Sequence, residues 1–444
     1  MVDAISMKPN KLACFCVCAC VAGTAFAQNS LPAISLENAL ERARQYGGQV
    51  QSANLAALQA REDSVQVRAN RLPSVSAFNQ FIYTEGNGTP SGVFVANDGV
   101  HVYNEQAVVH EEVLAFFRKG EVRRALAAEA VAHARVEVAA RGLNATVIQN
   151  YFAIISAQRK FANAQTALQE AQRFYEISQQ LEKGGEAAHS DVIKAEIDLR
   201  QRQRDLADQD AGIQKSKIAL GVFIFPNFTA EFNVTDDLQQ IPMLPPLPET
   251  QTQAVTTSPD LLVARAGVLE ANNEITVAKY AYLPSLGIDF FYGIDSNQFA
   301  VNTHYPPGDP RDTRRNLGYV AQVTLNVPVW NWGATRSKVK QAELKRDQAQ
   351  LDLSLADRTL QGNIAAAYAE ARAAQAQLDS LRGSVDLSAE SLRLTLLRYQ
   401  AGEAVALEVV DAQTTLNQAR NAYDDGLARY RIAIATLQTL TGVL

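Results

Sequence analysis

Two windows of this chain contain no proline: one lies between Pro90 and Pro226, the other runs from Val329 to the last residue. Proline interrupts helix interiors, so each window can hold very long helices. Both are rich in Ala, Gln, Arg, Leu and Glu, which favour helix. Short stretches outside them read differently. In "YLPSLGIDFFYGID" (Tyr282 to Asp295), Leu286, Ile288, Phe290 and Tyr292 fall on every second position after Pro284, which is strand periodicity. A relative, "RLPSVSAFNQFIY", begins at Arg71.

The chain repeats itself. Leu72-Pro73-Ser74 matches Leu283-Pro284-Ser285, 211 residues on, and Val50, Ala53 and Ala60 match Leu261, Ala264 and Ala271. Beyond the strands the offset becomes 217, pairing Tyr151 with Tyr368, Gly185-Glu186-Ala187 with Gly402-Glu403-Ala404, and Leu199 with Leu416. A period of about two hundred residues is far longer than a solenoid repeat. Each unit is expected to run helix, strand, loop, strand, long helix, turn, helix. The first unit covers 28–240, with a β-hairpin at about 73–117 and a helical hairpin at about 120–222. A proline-rich linker follows at 241–258. The second unit covers 259–444, with a β-hairpin at about 284–329 and a helical hairpin at about 334–442. The helix from Ala334 to Gln400 would be roughly 100 Å long, more than a globular core needs. "NIAAAYAEARAAQAQL" shows a thin stripe of small residues where a coiled coil usually places Leu, Ile or Val. A wide, water-filled ring of helices fits that seam.

The first residues have the pattern of an export signal, expected to span 1–27. Lys8 and Lys11 precede the apolar run Leu12 to Ala22, and Ala25-Phe26-Ala27 supplies a small-x-small cleavage site before Gln28. Met7 is an alternative start. All four cysteines (14, 16, 18 and 20) lie in this segment, so the mature chain forms no disulfide. Val17-Cys18-Ala19-Cys20 loosely resembles a lipoprotein box with Cys20 acylated, an alternative to the better Ala-Phe-Ala site. The full chain carries a net charge of -6, and nothing basic enough for nucleic acid. There is no phosphate loop, dinucleotide fingerprint or nucleophile elbow. The five histidines (101, 110, 133, 189 and 304) have no metal-ligand spacing. No enzyme activity, cofactor or metal is expected.

After the signal no apolar run reaches membrane-helix length, yet the strands have the length and alternation of tilted membrane strands. In "YVAQVTLNVPV", Tyr319, Ala321, Val323, Leu325 and Val327 share one face. Trp330 and Trp332 follow where an interfacial aromatic belt belongs. The return strand of the first unit lies in "QAVVHEEVLAFF", where Glu111 and Glu112 must face a lumen or lie below the membrane. Four strands cannot close a barrel, and an open edge is not tolerated in lipid. Three chains would give twelve strands. The expected fold is mostly α, with a membrane β-barrel shared by a trimer and a long helical barrel.

With these features in place, the chain resembles the TolC-type outer-membrane efflux proteins. The most specific segment is "LRYQAGEAVALEVVDAQTTLNQARNAYDDGLARYRIAIATLQTLTG" (Leu397 to Gly442), supported by "LPSL", "VPVWNWG" and "ISLENALERA". The resemblance implies a homotrimer in the outer membrane of a Gram-negative cell, extending into the periplasm. It implies docking to a periplasmic adaptor and an inner-membrane pump, and passage of small molecules to the exterior. A component of type I protein secretion is the alternative, and a secreted coiled-coil scaffold without a channel is the rival from another class. The turns at Gly185 and Gly402, with Leu181, Ala187, Ala404 and Val405, would meet the adaptor. Glu408, Asp411 and Asp191 match acidic residues that ring the family's closed entrance, and Tyr399 matches a tyrosine of its tip network. Ala404 stands where the family carries an arginine, which removes that arginine-based latch.

Overall fold

The computed structural model describes residues 33–83, 101–114, 116–296, 298–304 and 313–442. The signal segment, its cleavage site and Cys20 lie outside these residues. In chain order the elements are β1 (Ala33–Ile34), α1 (Leu36–Tyr46), α2 (Gly48–Ala69), β2 (Ser74–Tyr83), β3 (His101–Leu114), α3 (Phe116–Gly184) and α4 (His189–Ile224). There follow β4 (Asn233–Val234), α5 (Leu247–Thr257), α6 (Pro259–Tyr280), β5 (Ser285–Ser296), β6 (Asn302–His304), β7 (Thr313–Arg315), β8 (Leu317–Asn326), α7 (Ala334–Gln400) and α8 (Ala406–Thr441).

The duplication seen in the sequence is a duplication of structure. The run α2-β2-β3-α3-α4 recurs as α6-β5-β8-α7-α8. The long helices α3 and α7 have 69 and 67 residues, and α4 and α8 have 36 each. Proline falls where it does no harm. Pro284 follows α6 and frees the chain to extend into β5. The proline-rich segment is not extended throughout, because Pro248 occupies the first turn of α5, where its missing N–H has no partner to lose.

One antiparallel sheet, in the order β2-β3-β5-β8, holds the four long strands. Its register pairs Ser74 with His110, His110 with Asp289, and Asp289 with Gln322. Strands β6 and β7 form a small separate hairpin, and β1 pairs in parallel with β4. Below the sheet the helices lie in a row. Helix α7 packs on α8, α8 on α3, and α3 on α4, which leaves α7 and α4 on the flanks. Nearer the sheet the row is α2, α3, α6, α7.

The seams follow a heptad spacing, with alanine at many of its positions. Ala164, Ala167, Ala171, Phe174 and Ser178 are the buried positions of lower α3, spaced three and four apart. Val192, Ala195, Leu199 and Arg202 do the same on α4, and Ala406, Val409, Gln413 and Leu416 on α8. Arg202 is buried there with Asp198 at 3.2 Å and donates to Thr414 Oγ1 of α8 at 2.8 Å. Burial pushes the Asp198 carboxyl above its ordinary range.

The main core sits midway along the long helices. It gathers Leu143 to Ile155 of α3, Leu360 and Ile364 of α7, and Leu427 to Leu437 of α8 around Phe232 and Leu238. Two tyrosines tie the non-helical segment to it. Tyr151 donates to the Thr235 carbonyl at 2.8 Å and Tyr430 to the Pro242 carbonyl at 2.7 Å. Arg159 grips Asp236 with two nitrogens, at 2.8 and 3.1 Å, and reaches Asp424 of α8 at 3.1 Å.

Candidate functional site

Register sorts the sheet into two faces, since residues opposite each other share a face. One face carries Val75, Ala77 and Phe81 of β2, Ala107 and Val109 of β3, and Leu286, Ile288, Phe290 and Tyr292 of β5. Tyr319, Ala321, Val323 and Leu325 of β8 complete it. The other carries Ser74, Ser76, Gln80, Asn104, Gln106, His110, Asp289, Gln322 and Thr324, with the apolar Phe78, Ile82 and Val102 among them. Along β5 the apolar side chains Ile288, Phe290 and Tyr292 are exposed, and Gly287, Asp289, Phe291 and Gly293 between them are half-buried. His110 Nδ1 lies 2.6 Å from Asp289 Oδ1 on the polar face.

Phe291, a large apolar group on that polar face, stands in a row with Val108 and Val320, its direct register partners. Glu111 and Glu112 do not share a side. Adjacent strand residues point opposite ways, so Glu112 lies on the polar face, paired with Arg118 at 2.7 Å, and Glu111 lies beside Ile288 on the apolar one. Strand β3 also begins at His101, earlier than the apolar pattern marks it. Asn79 and Glu105, opposite each other, are polar intrusions on the apolar face.

Just past β8, Trp330 and Trp332 meet edge to face at 5.9 Å, 76 % and 90 % exposed. Trp332 and Gly333 both take positive φ, 56° and 85°, which turns the chain into α7. Polar tips and apolar rings suit the boundary between lipid and water.

At the far end of the long helices, two hairpins close on the same turn. Gly185 and Gly402 have φ of 76° and 75°, a left-handed conformation that glycine takes without cost. In the first turn Gly185 N–H donates to the Glu182 carbonyl and Glu186 N–H to that of Leu181, at 2.9 and 2.8 Å. In the second, Gly402 N–H donates to Tyr399 and Glu403 N–H to Arg398, at 3.1 and 2.8 Å. Both are Schellman motifs, 217 residues apart.

A small core joins the two hairpin ends: Phe174, Ala195, Tyr399, Ala406 and Val409. Tyr399 is buried, sits edge to face with Phe174 at 5.2 Å and lies 3.2 Å from Ser178 Oγ. Burial raises its phenol above the ordinary range, and the nearby Asp191 carboxylate acts the same way. Leu181 and Ala404, expected on the exposed turns, pack partly against this core. Ala187 is half-buried, while Gly185, Gly402 and Val405 are exposed.

The expected acidic residues differ in their surroundings. Glu408 sits in the first turn of α8, where Oε1 accepts from Val405 N–H at 3.4 Å and Oε2 lies 3.3 Å from Arg398 Nη1. Asp411 is exposed one turn on, and Asp191 is half-buried beside the tip core. Sequence reasoning missed Arg398, Ser178 and Phe174, and it missed the contact of His189 Nδ1 with Glu182 Oε1, 2.7 Å across the Gly185 turn. Among the described residues no cluster of three or more His, Cys, Asp or Glu side chains could hold a metal ion. No described helix is long and apolar enough to cross a membrane.

The family model described as "Outer membrane efflux protein" matches residues 251–443. The cobalt-zinc-cadmium resistance protein CzcC of Cupriavidus metallidurans is 24% identical over 306 residues, 68% of this chain and 68% of that protein. Outer membrane protein OprJ of Pseudomonas aeruginosa is 24% identical over 304 residues, which is 66% of this chain and 60% of OprJ. In fold, the chain is similar to a solved membrane protein of Pseudomonas aeruginosa, with a TM-score of 0.78 at 21% identity, over 92% of this chain and 93% of that one.

Proposed function

Because the chain belongs to the outer membrane efflux protein family, we propose that three copies form a duct through the outer membrane, fed by an inner-membrane pump through a periplasmic adaptor. The observation that carries this reading is the open sheet. It has an apolar face and a polar face, and its edges β2 and β8 have no partner strand among the described residues. Lipid does not tolerate such edges, so they must meet others. The two edges differ, so the contact is head to tail, and head-to-tail contacts close into a ring when their rotation divides a full turn. Three sheets of four strands give the even number that barrels of this kind use.

The helices support the same joint. Leu55, Leu58 and Val65 are exposed on α2, and Leu344, Leu351 and Leu355 on α7, at opposite ends of the upper row. Lower down, Ile193 and Ile197 of α4 face outward, as do Leu387 and Leu394 of α7. Each flank offers the apolar stripe that its counterpart on the next copy would bury. The ring of helices then continues the barrel for roughly 100 Å, enough to reach deep into the periplasm. Its hairpin ends, at Gly185 and Gly402, would form the entrance and the adaptor contact, with Asp191, Tyr399, Glu408 and Asp411 around the opening. The duct has no catalytic chemistry of its own; the pump supplies the energy.

All four cysteines lie within the first twenty residues, so pairs introduced into the strands report cleanly once the expected signal is removed. A cysteine in β2 and another in β8 should crosslink into covalent trimers in outer-membrane fractions, and the purified trimer should conduct in planar bilayers. A monomer in mild detergent, or a soluble periplasmic chain, overturns the reading.

A further inference from the structure

We propose that Arg398 sets the ion preference of the entrance by cancelling the charge of Glu408, which leaves Glu403 at the turn and Asp411 one turn into α8 as the exposed carboxylates of this hairpin end without an ion pair among the described residues. This rests on the duct reading above, which puts the hairpin ends at the opening. The guanidinium spans the Gly402 turn. Its Nη1 lies 3.3 Å from Glu408 Oε2 on α8, and its Nη2 donates to the Glu403 carbonyl at 3.1 Å. Glu408 is further held by Val405 N–H, so its carboxylate is committed on both oxygens.

The duplication supplies an internal control. The position 217 residues earlier that matches Arg398 is Leu181, and Glu408 is matched by Asp191. Leu181 packs against the tip core and brings no cation to Asp191. The two hairpins of one copy therefore present different charge: Asp191 without an arginine but followed one turn on by the exposed Lys194 in the first, an arginine–glutamate pair followed at the matching position by Asp411 in the second. Asp411 is exposed, and its backbone carbonyl, not its carboxylate, accepts from Thr415.

Trimers reconstituted in planar bilayers, with reversal potentials measured in a KCl gradient, test this. Arg398→Gln should raise the cation-to-anion permeability ratio by about twofold, since a ring of charges in a narrow pore governs ion choice. Glu408→Gln, which leaves the arginine uncompensated, should lower it by a similar factor. The double variant should return close to the wild-type ratio, and Arg398→Lys should retain it. Asp411→Asn should lower the ratio in every background. If Arg398→Gln leaves the ratio unmoved while Glu408→Gln and Asp411→Asn lower it equally, the inference is overturned. A wild-type trimer that forms no pore overturns the duct reading and this inference with it. If Arg398→Gln yields no trimer, the double variant decides: a ratio close to wild type supports Arg398, and a ratio lowered as far as in Glu408→Gln rejects it.

Discussion

The hydroxyl of Tyr399, near the end of α7, lies 3.2 Å from Ser178 Oγ on α3, while Ser178 donates to the Phe174 carbonyl. One side chain from the second repeat is thus fastened inside the tip of the first. Tyr399→Phe removes the hydrogen bond and should cost about 1 kcal/mol. Tyr399→Ala opens a cavity beside Phe174 and should cost about 3–5 kcal/mol. Hydrogen exchange at residues 174–178 and 397–400 should report the loss locally, and single-channel conductance should rise in the alanine variant first.

The phenol of Tyr151 is pushed up to about 12 by burial and by the Asp237 carboxylate, from an ordinary value of 10.0. The folded chain therefore keeps this proton longer than the unfolded one. The stabilisation is full below pH ~10 and is lost as the pH rises toward ~12. Thermal unfolding of the detergent-solubilised protein should show it. Tyr151→Phe should lose less stability than wild type across that window, by roughly 2 kcal/mol.

Asp424 is 7 % exposed and accepts from both Arg159 and Asn163. Asp424→Ala leaves those donors short of an acceptor and should destabilise by about 1–3 kcal/mol. Arg159 keeps Asp236, so the penalty should fall below that of stripping a buried arginine of every partner. Asp424→Asn, which can still accept one bond, should cost less. Melting temperatures of the three proteins in one detergent give the order.

The faces of the sheet predict opposite responses to the same charge. Phe290→Arg places a cation on the apolar face and should cost about 2–4 kcal/mol near mid-membrane. Gln322→Arg, on the polar face, should be tolerated. The yield of heat-modifiable trimer in outer-membrane fractions separates the two, and equal yields would contradict the assignment of faces.

The parts of this fold that were legible in the sequence obey local rules. The long helices follow from the missing prolines, and α7 runs from Ala334 to Gln400, as its pattern indicates. Strands β5 and β8 follow from period-two alternation, and the tip turns from Gly185 and Gly402. Contacts made across distance were not legible. Arg398 and Glu408 are ten residues apart on two helices, and only the turn between them brings them together. Phe291 looks misplaced until Val108, on another strand, stands next to it. The pairing of β1 with β4 joins residues 33 and 233, and no periodicity encodes that.

The edges β2 and β8, which meet no further strand among the described residues, also carry a genetic consequence. A subunit whose β8 edge is blocked, by a proline at Ala321 for example, still offers its intact β2 edge to a neighbour. It can therefore enter a ring that it prevents from closing. In a cell making equal amounts of both forms, only about one ring in eight would be free of the altered subunit if assembly is random. Such an allele should behave as dominant over the normal gene, whereas a simple deletion should be recessive.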